Sequence, residues 1–173
     1  MAVKAPKKSA AAEPDRRTAA RLLALQALYQ VAVTGAQPQS VLIEFLEHRL
    51  DEELEEGTRL GRVDRNLFRE LVEQGSERAE ALDRLLSEEL KADWPLDRLE
   101  MLMRLILRLG AYELAERPSV SAGGVIAEYV ELTRDFYGGG EPGVVHRVLD
   151  RLAQRLRGGQ EPQVPGGGES DGG

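Results

Sequence analysis

The chain has no cysteine, few aromatic residues and no long uninterrupted apolar run. Without cysteine it has no disulfide, no thiolate metal site and no cysteine nucleophile, and a reducing compartment suits it. The most apolar stretch, residues 99–114, is interrupted by Arg104 and Arg108 and falls short of the roughly 20 apolar residues that a membrane helix needs. The N-terminus has lysines but no continuous apolar segment, so it does not resemble a signal peptide.

Charge is distributed unevenly along the chain. The net charge of −7 argues against a protein that coats nucleic acid nonspecifically. Residues 1–21, however, contain six cationic and two acidic side chains, whereas residues 44–56 contain seven acidic and one cationic. One part of the molecule is therefore suited to hold a polyanion and another to repel it.

Composition divides the chain into three parts. Residues 1–14 are rich in Ala, Lys and Pro and should form a disordered basic arm. Residues 158–173 are acidic and rich in Gly and Pro, and should form a disordered tail. Between them, residues 15–157 are expected to form one all-α domain, a compact bundle of about six to seven helices.

Capping residues and apolar spacing predict where the helices lie. The expected helices cover about 15–35, 38–53, 64–90, 99–117 and 121–137, with a last one starting near Pro142. Gly75 favours a bend or a local end in the third, and the fourth should be the most buried. In the first helix, one apolar stripe is expected, and it comprises Leu22, Leu25, Leu28, Tyr29 and Ala32.

No catalytic or cofactor motif meets its structural requirements. Residues 138–143 match G-x-G-x-x-G, but a predicted helix precedes them, and a dinucleotide site requires a strand. The two histidines, His48 and His146, are far apart and lack metal-ligand spacing. We therefore expect no catalytic residue, metal or cofactor, and a binding protein rather than an enzyme.

The basic start of the first helix gives the strongest indication of function. Arg16, Arg17 and Arg21 can hold phosphates, because a guanidinium makes bidentate, charge-assisted contacts. Arg17 and Arg21 are four residues apart and should share a face. Single-stranded RNA also needs stacking surfaces, for which the candidates are Tyr29, Tyr129, Phe136 and Tyr137. The alternative is that the arginines are simply solvated and that the aromatic residues belong to the core.

Four segments resemble the NusB family of bacterial transcription antitermination factors. RRTAARLLALQALYQ (16–30) is similar to the family's arginine-rich opening helix, and WPLDRLEMLMRLILRLGAYEL (94–114) to its L-R-x-G-A-Y-E-L segment. RPSVSAGGVIAEYVELTRDFYG (117–138) and VVHRVLDRLA (144–153) resemble the two segments that follow. The match runs in order over about residues 16–157.

This resemblance implies an all-α, non-catalytic, cytoplasmic protein that binds RNA. It implies binding to the boxA element of nascent ribosomal RNA together with NusE, a small-subunit ribosomal protein. The resulting complex joins RNA polymerase and supports read-through. Carried over by position, the RNA-binding residues would be Arg17, Arg21, Gln26, Tyr29 and Phe136. Arg16 joins them as part of the same basic run, and burial of Gln26 or Tyr29 in the core remains an alternative.

The chain also departs from the family pattern. An Asn of the family is Ala127 here, its Asn-Gly pair is His146-Arg147, and an acidic residue linked to NusE contact is Met103. We include Arg147 among the candidate RNA contacts, because it can restore a positive charge near the RNA surface.

Two other functions stay open from the sequence. NusB-like domains begin certain rRNA cytosine methyltransferases, although the residues after 157 offer no room for a cofactor-binding domain. The chain could instead be a helical adaptor that binds only protein, or a homodimer whose interface covers the basic face.

Overall fold

The computed structural model describes residues 15–50, 63–90, 95–96 and 99–158. Within these ranges the chain forms seven α-helices and no strand, which confirms the predicted all-α fold. The helices are α1 (Arg16–Thr34), α2 (Pro38–Glu44), α3 (Arg65–Glu77), α4 (Ala79–Glu89), α5 (Met101–Glu116), α6 (Ala122–Phe136) and α7 (Glu141–Arg157).

Local capping signals set several helix ends where the sequence predicts them. The Asp15 carboxylate accepts a hydrogen bond from the Arg17 backbone N–H, and Gly35 ends α1 with a φ of 71°. The Ser121 hydroxyl accepts from the Gly124 N–H at the start of α6, and Pro142 lies in the first turn of α7. Each end is fixed by chemistry within a few residues of it.

The predicted third helix, residues 64–90, is two helices in the structure. α3 ends at Glu77 and α4 begins at Ala79, with Arg78 between them at φ −99° and ψ 15°. A Cβ on Gly75 would lie 3.1 Å from Leu28 and 3.2 Å from Leu109, so this glycine lets α3 approach α1 and α5 closely. The expected bend is therefore present, but the break falls three residues after the glycine.

The second helix also differs from its prediction. After Glu44 the backbone continues as a π-helical turn, Phe45–Arg49, in which the Leu50 N–H donates to the Phe45 carbonyl. The predicted end near residue 53 lies outside the described residues. So do the arm 1–14, Trp94 and the tail 158–173 apart from Gly158.

α5 is the most buried helix, as predicted. Between Leu102 and Leu114 only Arg104 and Arg108 are not buried. The Arg108 guanidinium donates two hydrogen bonds to Asp83 of α4, at 3.0 and 2.9 Å, and Arg104 lies 3.8 Å from the same carboxylate. α5 contacts α1, α3, α4, α6 and α7 and forms the centre of the bundle.

α1 is buried on more sides than a single stripe. Leu23, Ala24 and Ala27 are buried beside the predicted Leu25 and Leu28, whereas Leu22 and Tyr29 are half-buried and Ala32 is exposed. The expectation of one apolar stripe is corrected, because α2, α3 and α5 all pack against α1. Its outward face is reduced to a narrow strip that includes Leu22, Gln26 and Tyr29.

The direction of the helices determines which ends meet. Arg21 of α1 contacts Glu113 near the end of α5, and Arg157 at the end of α7 donates to the Leu114 carbonyl. At the opposite end of the bundle, Tyr137 donates to Glu100, which precedes α5. α1 therefore runs antiparallel to α5, because it begins where α5 ends. α7 runs parallel to α5, because the two helices begin at one end of the bundle and end at the other.

No described helix is long and apolar enough to cross a membrane.

Candidate nucleic-acid interface

The start of α1 presents two accessible arginines. Arg16 and Arg17 are exposed, and neither has an ion-pair partner within the described residues. The Arg16 carbonyl accepts a hydrogen bond from the Asp64 backbone N–H at 3.1 Å, which joins the first turn of α1 to the start of α3. Both guanidinium groups are thus free to contact a ligand from an anchored backbone.

An open groove lies beside this first turn. Its volume is about 470 Å³, and it is lined by Arg16, Val63, Asp64, Arg65 and Asn66. Among the described residues, the lining offers guanidinium and amide donors together with the Asp64 carboxylate, which itself caps α3 by accepting from the Leu67 N–H at 3.0 Å. This chemistry suits a phosphate or the polar edge of a base.

Arg21, the third predicted cation, lies inside the protein. Its side chain is 5% exposed, and its Nε and one terminal nitrogen donate to the two carboxylate oxygens of Glu113 at 2.8 and 2.9 Å. The expectation that Arg17 and Arg21 share an accessible face is therefore corrected. The side of α1 that carries Arg21 faces α5 and α6, and in this structure its guanidinium is not available to an RNA phosphate.

A polar cluster surrounds Arg21. The Tyr129 hydroxyl donates a hydrogen bond to Glu113. The Glu128 carboxylate lies 3.4 Å from Arg21 and accepts from the Thr18 hydroxyl at 2.9 Å. Burial by itself lowers the pKa of Arg21, but the hydrogen bonds and charge of Glu113 outweigh it, so the pKa is raised. Burial, reinforced by Glu113, raises the pKa of Tyr129 well above its usual value.

Gln26 and Tyr29 occupy the outward strip of α1. They are three residues apart and share a face, and both side chains are partly accessible. Tyr29 also packs against the hydrophobic core. Tyr29 therefore belongs partly to the core and partly to the surface, so neither alternative from the sequence is excluded.

Phe136 lies at the end of the bundle opposite the start of α1, next to Tyr137. Phe136 is half-buried at the end of α6, and the adjacent Tyr137 hydroxyl donates to Glu100 at 2.8 Å. Burial raises the pKa of Tyr137, with further contributions from Glu100, Glu141 and, through their proximity, Tyr29. This corner combines aromatic surfaces with carboxylates, unlike the cationic start of α1.

Arg147 is exposed in the first half of α7, next to exposed His146. The candidate residues consequently form two groups. Arg16 and Arg17 lie where α1 begins, whereas Tyr29, Phe136 and Arg147 lie towards the other end of the bundle. Gln26 lies between them along the outward strip.

Sequence reasoning missed the polar groups around Arg21. Glu113 and Glu128 are its ion-pair partners, Thr18 donates to Glu128, and Tyr129 donates to Glu113. One signal was present: Glu113 is an acidic residue in the otherwise apolar run LGAYEL, and a carboxylate on a helix that is apolar on most sides needs a partner. Met103, which replaces an acidic residue of the family pattern, is 3% exposed and belongs to the core.

Comparison with known proteins assigns the family. The model of the NusB family matches residues 18–154. The chain belongs to the NusB family. It is 42% identical over 146 residues to a transcription antitermination protein NusB of Rhizobium meliloti (strain 1021), covering 84% of this chain and 91% of that protein. The corresponding protein of Agrobacterium fabrum is 39% identical over 153 residues, with 88% and 92% covered.

Solved structures agree with the family. NusB of T. maritima superposes with a TM-score of 0.66 at 25% identity, covering 83% of this chain and 93% of that one. A chain from a complex of the antitermination factors NusB and NusE with dsRNA gives 0.65 at 23% identity, covering 80% and 96%, and supports the fold. Because these relatives, matched over nearly their whole length, are transcription antitermination proteins, the prediction that this chain is not an enzyme is confirmed.

Proposed function

We propose that this NusB-family chain is a transcription antitermination factor that binds boxA-type single-stranded RNA of nascent rRNA transcripts. In this proposal it acts with the ribosomal protein NusE in a complex with RNA polymerase and supports read-through. The observation that carries the RNA-binding role is the pair of exposed arginines without ion-pair partners among the described residues, Arg16 and Arg17, at the start of α1.

The chemistry of this helix start suits an RNA backbone. Guanidinium groups bind phosphates through bidentate, charge-assisted hydrogen bonds. The positive end of the α1 dipole adds to their field, although the Asp15 cap offsets part of it. The adjoining groove supplies Asn66, whose amide can both donate to and accept from a base edge.

The outward strip of α1 extends this surface. From Arg17 to Tyr29 the helix rises about 18 Å, at 1.5 Å for each residue. A strand that begins at the arginines and follows the strip would pass Gln26, which can read a base edge, and reach Tyr29, on which a base can stack. Phe136 and Arg147 would contribute at the far end, where the carboxylates of Glu100 and Glu141 limit how many phosphates can approach.

The partners follow from the relatives. A solved structure shows a related NusB bound to NusE and dsRNA. By analogy, we propose NusE and RNA as the partners of this chain. Transcription in bacteria takes place in the cytoplasm, so the proposed role implies a cytoplasmic protein. The methyltransferase alternative is disfavoured, because the match covers 91% of a relative that is itself an antitermination protein.

The test is a titration of fluorescently labelled boxA RNA, with and without NusE, at two salt concentrations. Wild-type protein should bind, with an affinity that falls as salt rises. Arg16→Ala combined with Arg17→Ala should weaken binding and lower the salt slope by about two, since each phosphate contact contributes about one.

The matched control is Arg69→Ala combined with Arg84→Ala. These arginines are exposed on α3 and α4 and do not line the groove, and their removal changes the net charge by the same amount. The control should change the salt slope far less than the Arg16/Arg17 variant. Equal binding by wild type and the Arg16/Arg17 variant would exclude the start of α1 as the RNA site.

A helical adaptor or a homodimer that covers the basic face gives a different result. Light scattering with and without RNA distinguishes these alternatives from the proposed RNA-binding function. A stable dimer that leaves boxA RNA unbound would contradict the proposed function, whereas a complex of the mass expected for protein plus RNA supports it.

A further inference from the structure

The first turns of α1 are held at three points by three other helices. On one side, the Asp64 N–H at the start of α3 donates to the Arg16 carbonyl at 3.1 Å. On the other, Glu128 of α6 accepts from the Thr18 hydroxyl at 2.9 Å. Beneath them, Arg21 makes its two-pronged contact with Glu113 of α5. The backbone that carries Arg16 and Arg17 is therefore fixed in position and direction.

The contact between Arg21 and Glu113 is the most deeply buried of the three, and burying two charges has a high free-energy cost. Glu113 is fully buried and Arg21 is 5% exposed. Removing two charges from water costs several kcal/mol each, and well-packed apolar side chains of similar volume often give equal or greater stability. What such side chains lack is direction, since a planar guanidinium on a carboxylate fixes both distance and orientation.

From this geometry we propose that Arg21, Glu113 and Tyr129, here called the Arg21 cluster, position the start of α1 so that Arg16 and Arg17 meet the RNA. The cluster itself does not touch RNA. Arg21 is thus a positioning residue rather than the phosphate ligand that its place in the arginine run indicates. This inference rests on the proposed function and adds to it a role for buried groups.

The surroundings of Arg21 support this assignment. Its guanidinium is already occupied by both oxygens of Glu113 and lies 3.4 Å from Glu128. A phosphate could bind it only by displacing a carboxylate from a buried site. Arg16 and Arg17, one turn or more away, have no such competitor among the described residues.

The test replaces the whole cluster at once, as R21M/E113M/Y129F. This variant leaves no buried charge or hydroxyl of the cluster without a partner, so it should fold, with a Tm within roughly 5 °C of the wild type. Its affinity for boxA RNA should fall about five- to tenfold, because the arginines are less well preorganised. Its salt slope should equal that of the wild type, because no phosphate contact is lost.

A matched control removes a similar ion pair elsewhere. Arg108 and Asp83 form the same two-pronged contact, at 3.0 and 2.9 Å, between α5 and α4 and away from α1. The variant R108M/D83L should bind RNA with wild-type affinity and slope. If it loses as much affinity as the cluster variant, the loss is a general effect of removing an ion pair, and the positioning role is overturned.

Two further results would overturn the inference. A slope lowered by about one in R21M/E113M/Y129F would show that Arg21 contacts a phosphate directly. Unchanged affinity in a folded cluster variant would show that the cluster positions nothing that the RNA uses.

Hydrogen exchange of the RNA-free protein separates this inference from the proposed function. The amides of residues 19–22, in the first hydrogen-bonded turns of α1, should exchange roughly tenfold faster in the cluster variant than in wild type. They should be unchanged in R108M/D83L. If wild-type protein does not bind boxA RNA, the proposed function fails, while unchanged exchange in the cluster variant overturns the anchoring itself.

Discussion

Arg17 and Arg21 are the same residue type, one turn apart on one helix, yet they have opposite environments. Arg17 is exposed and has no ion-pair partner among the described residues. Arg21 is 5% exposed and is held by a fully buried glutamate. An arginine-rich helix start can therefore combine two tasks: its outer members are open to a ligand, while its inner member ties the helix to the bundle.

The largest expected effect tests the inner arginine. Glu113→Ala should lower the free energy of unfolding by about 3–5 kcal/mol, because it leaves the buried Arg21 charge and the Tyr129 hydroxyl without their acceptor. Urea denaturation measures this. Glu116→Ala is the control on the same helix: it removes an exposed ion pair to Arg78 and should cost at most about 1 kcal/mol. Equal losses in the two variants would contradict the contrast between buried and exposed pairs.

A smaller effect should appear at alkaline pH. The pKa of Tyr129 is raised in the folded protein. Its contribution to the free energy of unfolding is therefore complete below the unfolded pKa of about 10 and decreases as the pH rises above that value. Above pH ~10 the wild type should lose up to about 1.4 kcal/mol more than Tyr129→Phe for each pH unit, since the phenylalanine cannot ionise.

Urea denaturation of both proteins at about pH 9, 10 and 11 provides the comparison. Tyr112 and Tyr137 also have raised pKa values and remain in both proteins, so their contribution cancels in the difference. Parallel pH profiles for the two proteins would mean that Tyr129 ionises as readily when folded as when unfolded.

The smallest effect belongs to the outer arginines. Arg16→Ala and Arg17→Ala should each change the free energy of unfolding by no more than about 0.5 kcal/mol, because exposed side chains without partners contribute little to stability. The same substitutions are expected to reduce RNA binding. Thermal unfolding of the double variant checks this, and a destabilisation of several kcal/mol would show that these residues are structural too.

Much of the fold follows from local signals. Asp15, Gly35, Ser121 and Pro142 set helix ends because each acts on backbone groups within about one turn. The heavily apolar run of α5 correctly indicates the central helix. The break at Arg78 was placed less accurately, because Gly75 serves the close approach of three helices rather than a helix end.

The candidate site was less accessible to sequence reasoning. Spacing predicts which residues of α1 share a face, but it cannot tell which side of α1 remains outside once α2, α3 and α5 have packed against it. The acidic surroundings of Tyr137, the neighbour of Phe136, come from Glu100 and Glu141. Glu100 is 37 positions away in the sequence and reaches Tyr137 only in the folded chain.

The all-α fold, most helix ends, the central position of α5 and the family could all be read from the amino-acid order alone, whereas the division of residues 64–90 into α3 and α4 could not. These depend on residues close together in the chain or on an ordered pattern along it. Which arginine is exposed and which is buried depends instead on how the helices pack. Arg21 is paired with a carboxylate 92 positions away in the sequence, and whether a charge is solvated or buried depends on which surfaces meet when the helices pack.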